Sequence, residues 1–396
     1  MARRILYGVQ GEGRGHAARS LQVIQWLMEQ DCHVKVLSGG DAMKVLGGRG
    51  FDLEEIPLFR YHYRKDGTLD PWLTLRRNFT LAMGLFAGMG RSMGRMKALA
   101  RSFRPDLIIS DFEPFLSRTA SRLRLPLLAI DHQHFLTESV LPPLAGLQKS
   151  IMLKLYQFGT RLLAGRPDRI ITSSFYHFPK KRDSRAVFVG PFIPGKLKEF
   201  ATRRGRFGGL RQEDADSVTV YLKQPGYLAH MLAGLAARPG VRFQVFSDWT
   251  AAKPADIPDN VFLRPIDREA FLSQLARGKA LITTAGNQVI GEAVYLRKPV
   301  LAFPEPDVLE QELNALALHQ SGFGESFRLS EFSAPLWEKF ENFLPAYRRR
   351  IESHFRGRRS FDGQEQALRA LNRYLKELPV VGHLPGKRRL PLSYAG

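Results

Sequence analysis

The sequence lacks two features that would place it in a common class of protein. It contains a single cysteine, Cys32, so no disulfide can form within the chain of 396 residues. This excludes a disulfide-stabilised scaffold and is typical of a reducing compartment. The sequence also lacks a run of the ~18 apolar residues that a membrane-spanning helix requires, since the closest candidate, 81–89, is only about half as long.

A secretory signal peptide is not expected either. Arg3 and Arg4 provide the positive charge of such a peptide, but Gly8 and Gln10 interrupt the apolar stretch before it reaches the necessary length. The segment Ile5–Val9 is better interpreted as a first β-strand. We therefore expect a cytoplasmic protein.

Acidic residues are few relative to basic ones. The chain has 38 Asp and Glu residues against 59 Lys and Arg residues, which gives a formal net charge of +21. Such a surface attracts polyanions or anionic membranes. No zinc-finger, RNP or basic-zipper pattern accompanies the charge, so nucleic acid is not the expected partner.

Two segments combine this positive charge with apolar side chains. Between Asp70 and Asp106 there are seven Arg or Lys residues and no acidic residue, and the segment 144–166 has the same character. Basic amphipathic segments of this kind are typical of helices that bind an anionic membrane surface. Ordinary helices that pack their apolar side on a sheet would show the same pattern. Both interpretations stand at this point.

Short β-type runs alternate with helix-length segments along most of the chain. The runs are Ile5–Val9, His33–Leu37, Leu107–Asp111, Leu127–Asp131 and Arg169–Thr172, then Val218–Leu222, Phe243–Phe246, Val261–Leu263, Ala280–Thr283 and Pro299–Phe303. This alternation predicts parallel sheets covered by helices. We predict an α/β protein with two doubly wound, Rossmann-like domains that face a cleft. Their ranges are 1–190 and 218–378, with a linker 191–217 between them and a basic tail 379–396.

Two glycine-bearing turns carry the strongest functional signal. Residues 11–16 read Gly-Glu-Gly-Arg-Gly-His, and residues 283–292 contain Gly286 and Gly291. Each turn follows a β-type run and opens a helix, which leaves backbone N–H groups at the positive end of the helix dipole, where anions bind. The first turn lacks the last spacing of the dinucleotide fingerprint, so a nicotinamide cofactor is not expected.

His16 is the candidate general base of the first turn. The dipole of the helix that it opens disfavours the charged imidazole and keeps a neutral ring that can accept a proton. A structural role, or contact with an acceptor phosphate, is the alternative. Gly13 and Gly15 would let a ligand or the facing domain approach the backbone closely. Asp111, at the end of a strand, would orient the base or cap the following helix.

The tetrapeptide 131–134 ends the next strand near the same cleft. It contains Asp131, His132 and His134, but adjacent residues of an extended segment point to opposite faces, so it makes a poor metal cage. The pair Asp214 and Asp216 precedes the second domain and is interpreted as a solvated turn. No metal is expected.

The second turn and the segment 303–315 supply the candidate donor site. Three residues would present backbone N–H groups to a diphosphate: Gly286, Asn287 and Gln288. Glu292, on the same helix, would accept hydrogen bonds from a ribose diol, or would only stabilise the helix dipole. Further on, Glu310, Gln311 and Asn314 could read sugar hydroxyls.

Together these features resemble the GT-B glycosyltransferases, in particular the group around the peptidoglycan N-acetylglucosaminyltransferase that extends a lipid-linked precursor. The loop 11–16 resembles the glycine-rich loop of that group, 131–134 falls where the group has an acceptor-binding loop, and 285–292 resembles its nucleotide-binding turn. In that group the glutamate matching Glu292 binds the ribose, and the glutamine matching Gln311 contacts the donor sugar.

The resemblance implies a transferase that moves a sugar from a nucleoside diphosphate donor, first of all a UDP-sugar, to an acceptor hydroxyl. It implies inversion at the anomeric carbon and no metal or other cofactor. It also implies lipid-linked or glycan acceptors, a location on the inner face of the cell membrane, and a role in building the cell envelope. The chain departs from the pattern at 221–226, where Lys223 would replace backbone contacts of a Gly-Gly-Ser phosphate loop. The alternatives are a sugar-nucleotide epimerase and a non-catalytic protein that binds nucleotide-sugars or lipids.

Overall fold

The computed structural model describes residues 2–12, 14–60, 62, 70–144, 146–206, 216–222, 224–249, 255–355 and 361–379. These residues form two α/β domains, each built on one parallel sheet. The predicted fold class is thereby confirmed. None of the described helices is long and apolar enough to span a membrane.

The first sheet has seven strands. They are β1 (Arg4–Val9), β2 (His33–Ser38), β3 (Asp52–Glu55), β4 (Leu107–Asp111), β5 (Leu127–Asp131), β6 (Arg169–Ser173) and β7 (Val187–Val189). Their order across the sheet is β3-β2-β1-β4-β5-β6-β7, and all neighbours are parallel. The direction of winding reverses between β1 and β4. Ligands of open parallel sheets bind outside the carboxyl ends of the strands at such a switch point.

Helices cover both faces of this sheet. They are α1 (Arg14–Glu29), α2 (Gly40–Leu46), α3 (Pro71–Ala87), α4 (Gly90–Phe103), α5 (Pro114–Leu123), α6 (Phe135–Glu138) and α7 (Leu147–Ala164). The next helix, α8 (Gly195–Arg206), packs instead on the second domain, where Leu197 joins the cluster that contains Phe271. Because β1 lies between two helical layers, its side chains are buried on both faces: Tyr7 packs with Ile24 of α1, and Leu6 packs with Leu116 of α5. This explains why the central strands are continuous apolar runs.

The second sheet has six strands. They are β8 (Ser217–Tyr221), β9 (Arg242–Ser247), β10 (Val261–Pro265), β11 (Leu281–Thr283), β12 (Val300–Ala302) and β13 (Gly324–Ser326). Their order is β10-β9-β8-β11-β12-β13, again all parallel, so the switch point lies between β8 and β11.

Its helices are α9 (Leu232–Ala236), α10 (Arg268–Arg277), α11 (Asn287–Tyr295), α12 (Leu309–Ser321) and α13 (Ala334–Phe355), with short 3-10 helices at Pro225–Leu228 and Leu329–Glu331. The loops that end β11 and β12 lead into α11 and α12. These loops therefore face the first domain across the cleft.

The last helix, α14 (Gln364–Glu377), returns to the first domain. Leu371 and Tyr374 are buried in the core of the first sheet, and Arg3 donates a hydrogen bond to the carbonyl of Leu378 at 2.8 Å. The sequence prediction assigned this helix to the second domain, within the range 218–378. The structure corrects that assignment, because the apolar face of α14 packs on the first sheet.

The predicted linker and tail are only partly described. The range 191–217 contains α8, and residues 207–215 lie outside the described residues, which takes in Asp214. Of the predicted basic tail, only Pro379 is described.

Candidate active site

The two domains meet at the carboxyl ends of their central strands. Asn287, the first residue of α11, accepts hydrogen bonds from the Ser174 hydroxyl and from the backbone N–H of Phe175, both at 3.1 Å. The Gln288 side chain donates to the carbonyl of Phe192 at 2.7 Å. The nucleotide-binding turn predicted from the sequence therefore contacts the first domain directly.

Backbone packing requires a glycine at position 11 of the first turn. A Cβ atom on Gly11 would lie 2.4 Å from the carbonyl oxygen of Gly39, which no side chain could tolerate. A Cβ atom on Gly15 would meet Gln288 at 3.7 Å, an ordinary van der Waals distance. Gly15 thus faces the second domain. Gly13 lies outside the described residues.

His16 lies in the first turn of α1 and pairs with Asp111 at the end of β4. The two are 95 residues apart in sequence, and His16 Nδ1 is 2.7 Å from Asp111 Oδ1. An ionised carboxylate can only accept, so Nδ1 carries the proton and Nε2 carries the lone pair. The Gln133 amide nitrogen is 3.4 Å from Nε2, on the cleft side. The cleft therefore meets the basic nitrogen of the ring.

Three further donors hold the Asp111 carboxylate. Arg19 donates from Nε at 3.0 Å and from a terminal nitrogen at 2.5 Å, and the Ser20 hydroxyl donates at 2.9 Å. Burial alone would raise the pKa of Asp111, but Arg19 and His16 outweigh it, so its pKa lies below the usual value. The carboxylate stays ionised at neutral pH.

Arg19 and Ser20 were not identified from the sequence. The available signal was helical spacing, because Arg19 follows His16 by three residues and so shares its face of α1. The alternative role for Asp111, a helix cap, does not apply: Glu113 caps α5 by accepting from the backbone N–H groups of Phe115 and Leu116.

Side chains of the loop 131–134 have two kinds of role: some form buried hydrogen bonds within the protein, and one lies in the cleft. Asp131 accepts from the His134 ring at 2.7 Å, and both side chains are buried. Burial would lower the pKa of His134, but the Asp131 carboxylate raises it above its usual value. His132 Nδ1 lies 2.9 Å from the carbonyl of Ser173, and burial lowers the pKa of this ring. The hydrogen bonds of both rings go to groups other than His16.

Gln133 belongs to the same predicted tetrapeptide but was not among the acceptor-binding residues predicted from it, and it spans the cleft. Its amide nitrogen lies between His16 and the Glu310 carboxylate of α12, to which it donates at 3.3 Å. Nearby, His132 Nε2 is 3.2 Å from Asn314 Oδ1, and Asn314 donates to the carbonyl of Ala285 at 3.1 Å. The ends of β5, β11 and α12 are thereby tied together.

Glu305 and Gln311 lie at the loop that follows β12. Gln311 Oε1 accepts from the backbone N–H of Glu305 at 2.8 Å, so this side chain shapes the loop. The Glu305 side chain is almost fully buried, and its Oε1 has no hydrogen-bond partner among the described residues.

Glu292 is fully buried and occupied by protein side chains. Its Oε2 accepts from Arg268 at 3.0 Å, and its Oε1 accepts from Arg268 and, at 2.8 Å, from Gln288. Arg268 was not identified from the sequence. Lys223, the other candidate cation of this domain, lies outside the described residues.

Metal-binding geometry is not found in the part of the chain that the structure describes. There, no group of three or more His, Cys, Asp or Glu side chains is arranged to hold a metal ion. Adjacent to the cleft, the chain offers backbone N–H groups of α11 and the guanidinium of Arg268 as positive partners for an anion.

The chain is similar to known proteins in both sequence and fold. The model of glycosyl transferase family 1 matches residues 3–345. An uncharacterized glycosyltransferase of Methanosarcina acetivorans is 24% identical over 388 residues, covering 93% of this chain and 98% of the relative.

Solved structures share the fold at low sequence identity. The glycotransferase of kitacinnamycin superposes with a TM-score of 0.68 at 16% identity, covering 96% of this chain and 100% of that chain. MurG of Acinetobacter baumannii superposes with a TM-score of 0.58 at 14% identity, covering 94% and 100%. The GT-B architecture expected from the sequence is confirmed.

Proposed function

The chain belongs to glycosyl transferase family 1 and is a glycosyltransferase, and on this premise we propose that it moves a sugar from a nucleoside diphosphate donor to an acceptor hydroxyl with inversion. A UDP-sugar is the first candidate donor. The observation that carries this proposal is the His16–Asp111 pair, whose basic nitrogen meets Gln133, a side chain that also bonds to Glu310 of the second domain.

In the proposed reaction His16 Nε2 takes the proton of the acceptor hydroxyl. The acceptor oxygen bonds to the anomeric carbon while the bond from that carbon to the diphosphate oxygen breaks, and the diphosphate leaves with the electron pair. Attack opposite the leaving group inverts the anomeric centre. Asp111 stabilises the imidazolium that forms, and general base catalysis of this kind contributes about 10²–10⁴-fold.

The second domain stabilises the leaving group in this proposal. The amino terminus of α11, at Gly286–Gln288, supplies backbone N–H groups and the positive end of the helix dipole. No metal ion is invoked, because these groups and the cations beside them provide the positive charge. In this proposal Glu310, which is linked to His16 through Gln133, binds a donor-sugar hydroxyl.

The first domain has exposed apolar side chains on two basic helices. They recur at helical spacing: Trp72, Phe79 and Met83 on α3, and Leu147, Ile151, Leu155 and Phe158 on α7, all 50% exposed or more. The opposite faces pack on the core through residues such as Leu85 and Leu163. Each helix is thus apolar on its core face and also exposes apolar side chains, which is unusual for a surface that meets only water.

We propose that these two faces bind an anionic membrane and that the acceptor carries a lipid. The charge is complementary, because neither α3 nor α7 contains an acidic residue. α7 also borders the cleft: Lys149 pairs with Glu312 of α12, and the Tyr156 hydroxyl donates to the carbonyl of Asp307 at 3.3 Å. A membrane-bound acceptor would therefore reach His16 from this side.

The first test is nucleotide binding followed by turnover. Calorimetry with UDP-, GDP-, dTDP- and ADP-sugars should give saturable binding to one nucleotide class. Lipid extracts would then be screened for an acceptor by release of the nucleoside diphosphate. Conversion of the donor to an epimer, or binding without turnover under every acceptor, would contradict the transfer reaction.

Membrane binding is tested by flotation with vesicles. Binding to phosphatidylglycerol vesicles, but not to phosphatidylcholine vesicles, is the expected result, and Trp72→Ser should weaken it. Phe343→Ser is the matched control, since Phe343 is 50% exposed on α13 of the second domain. Equal binding of all three proteins would contradict the assignment of this surface.

A further inference from the structure

Three arginine side chains come together on the first domain, away from the cleft. Arg118 and Arg122 are one turn apart on α5 and therefore share a face of that helix, and Arg166 follows the end of α7. We propose that these three arginines bind the phosphate of an anionic phospholipid head group. This inference rests on the membrane binding proposed above and adds to it a defined site for one lipid group.

The ends of α3 and α7 both contact α5 at this place. The backbone N–H of Arg166 donates to the Ser121 hydroxyl at 3.1 Å, and a Cβ atom on Gly165 would lie 2.8 Å from the same hydroxyl oxygen. A Cβ atom on Gly88, which follows the last residue of α3, would overlap the guanidinium of Arg122. The three arginines therefore lie where α3, α5 and α7 meet.

The helices around the arginines supply no carboxylate. There is no Asp or Glu in the sequences of α3, α4, α5 and α7. Burial lowers the pKa of Arg118, and the positive charges of Arg122 and Arg166 lower it further. Because like charges at short range repel, an anion between these side chains would stabilise the arrangement.

Arg118 also lacks a normal hydrogen-bond partner. The residue is partly buried, and its Nε atom is buried without a partner among the described residues. Buried donors normally have an acceptor. A guanidinium group binds phosphate oxygens in a bidentate geometry. A phosphate group would therefore supply both the acceptor and the negative charge that this cluster lacks.

Exposed apolar side chains next to the arginines favour a lipid over a soluble phosphate. Met89 directly follows Gly88 and is 68% exposed, and Met83, one turn before the end of α3, is 53% exposed. Phe158 of α7 is 63% exposed and lies about two turns before Gly165. A lipid bound at the arginines would bring its acyl chains against these apolar side chains, whereas a soluble phosphate would gain nothing from them.

This site is separate from the acceptor site at His16. α5 begins at Pro114, just after the end of β4, and runs away from the cleft because it returns the chain to the start of β5. A helix rises about 1.5 Å per residue, so Arg118 and Arg122 lie about 6 Å and about 12 Å along its axis from Pro114. The bound lipid would therefore anchor the first domain on the membrane rather than react.

The test measures binding to vesicles by flotation. The vesicles are made of phosphatidylcholine with or without phosphatidylglycerol. Arg118→Lys keeps the charge but loses the bidentate geometry, so it should weaken binding to the phosphatidylglycerol vesicles about ten-fold. Arg166→Lys should have the same effect, and its exposed position makes misfolding no concern. Arg76→Lys is the matched control on α3, where Arg76 is exposed outside the cluster, and its binding should stay within about two-fold of the wild type.

Removal of the charge separates lipid binding from a structural role. Arg118→Gln should weaken vesicle binding about 10- to 100-fold. Its Tm without lipid should be equal to or higher than that of the wild type, because the substitution removes a repulsion between like charges. Arg76→Gln also removes one charge from the first domain and should weaken vesicle binding only about five-fold. A lower Tm for Arg118→Gln, with no loss of vesicle binding, would show that Arg118 serves the fold.

Two further results would overturn the inference. Binding of Arg118→Lys and Arg166→Lys within about two-fold of the wild type would show that only the overall charge of this surface matters. Saturable calorimetric binding of inorganic phosphate to the wild type, lost in Arg118→Gln while vesicle binding is unchanged, would assign the cluster to a soluble phosphate. Failure of the wild type to bind phosphatidylglycerol vesicles would instead overturn the proposed membrane binding, and this inference with it, but would leave the proposed sugar transfer untouched.

Discussion

Replacing Asp111 by Asn tests the pair on which the proposed mechanism depends. One carboxylate oxygen accepts from His16 and Arg19, and the other accepts from Arg19 and Ser20. In the variant the amide nitrogen replaces one of these two oxygens, and in either place it faces an N–H donor of Arg19. If it replaces the oxygen that accepts from His16, it also faces the Nδ1 proton of His16. Every orientation removes the negative charge that stabilises an imidazolium at His16.

The distances give the size of the effect. Without the Asp111 charge, Arg19 remains as a cation 3.3 Å from His16 Nδ1. At an effective dielectric constant of about 20, two unit positive charges at this separation repel by about 5 kcal/mol, which is an upper bound for the cost of protonating His16. We expect kcat to fall about 10²–10⁴-fold, equivalent to about 3–5 kcal/mol. The unpaired Arg19 should also lower the free energy of unfolding by about 3–5 kcal/mol.

The assay is the initial rate of nucleoside diphosphate release with donor and acceptor, together with donor binding by calorimetry. Donor affinity should stay within about two-fold, because Asp111 lies on the acceptor side of the cleft. Asp106→Asn is the matched control: Asp106 immediately precedes the same strand, is 5% exposed and accepts from the backbone N–H of Arg4 at 2.8 Å. It should lose stability but keep kcat. A kcat for Asp111→Asn within about three-fold of wild type, or an equal loss in Asp106→Asn, would refute the reasoning.

Three further predictions concern stability and closure. Burial raises the pKa of Glu113 from 4.5 to about 7, so the folded state stays protonated to a higher pH than the unfolded chain does. The free energy of unfolding should therefore fall by about 3 kcal/mol as the pH rises from 4.5 to 7. Urea titrations of Glu113→Gln should lack this fall, and an unchanged pH profile would contradict the raised pKa. Leu371→Ala should cost about 2–5 kcal/mol in the same titrations; a smaller loss than that of an exposed Leu155→Ala would mean that α14 is not docked. Asn314→Ala removes the contact of Asn314 with His132 of the first domain, so it should increase the radius of gyration in X-ray scattering, and an unchanged radius would show that this side chain does not hold the domains together.

The sequence identified the central strands because each is buried on both faces. Ile5–Val9 is a largely apolar run followed by Gln10 and Gly11, and Leu107–Asp111 is one that ends in Ser-Asp; this local signal needs no knowledge of the partner strand. The edge strands β3 and β13 gave no such signal. Asp52–Glu55 is charged and partly exposed, and Gly324–Ser326 is three residues long, so their pairing depends on a neighbouring strand.

The candidate site likewise combines residues that a local signal identified with contacts that only the fold creates. The sequence indicated His16 and Asp111 separately, from the end of a strand and the start of a helix. Their contact depends on parallel pairing of β1 with β4, which puts Val9 opposite Asp111. Arg19 became significant only once this pairing had placed a buried carboxylate beside α1.

Glu292 and α14 illustrate contacts that the sequence could not predict. Resemblance implied that Glu292 binds ribose, without indicating that the helix that follows β10 brings Arg268 onto it. The amphipathic pattern of α14 predicted a helix without indicating which sheet would cover Leu371. Periodicity and turn chemistry are local properties, so the sequence by itself determined the two parallel sheets, the glycine turns and the residues at the strand ends. Which of those residues share a hydrogen bond, and which domain buries the last helix, was decided only by the tertiary structure, because such contacts join segments far apart in the chain.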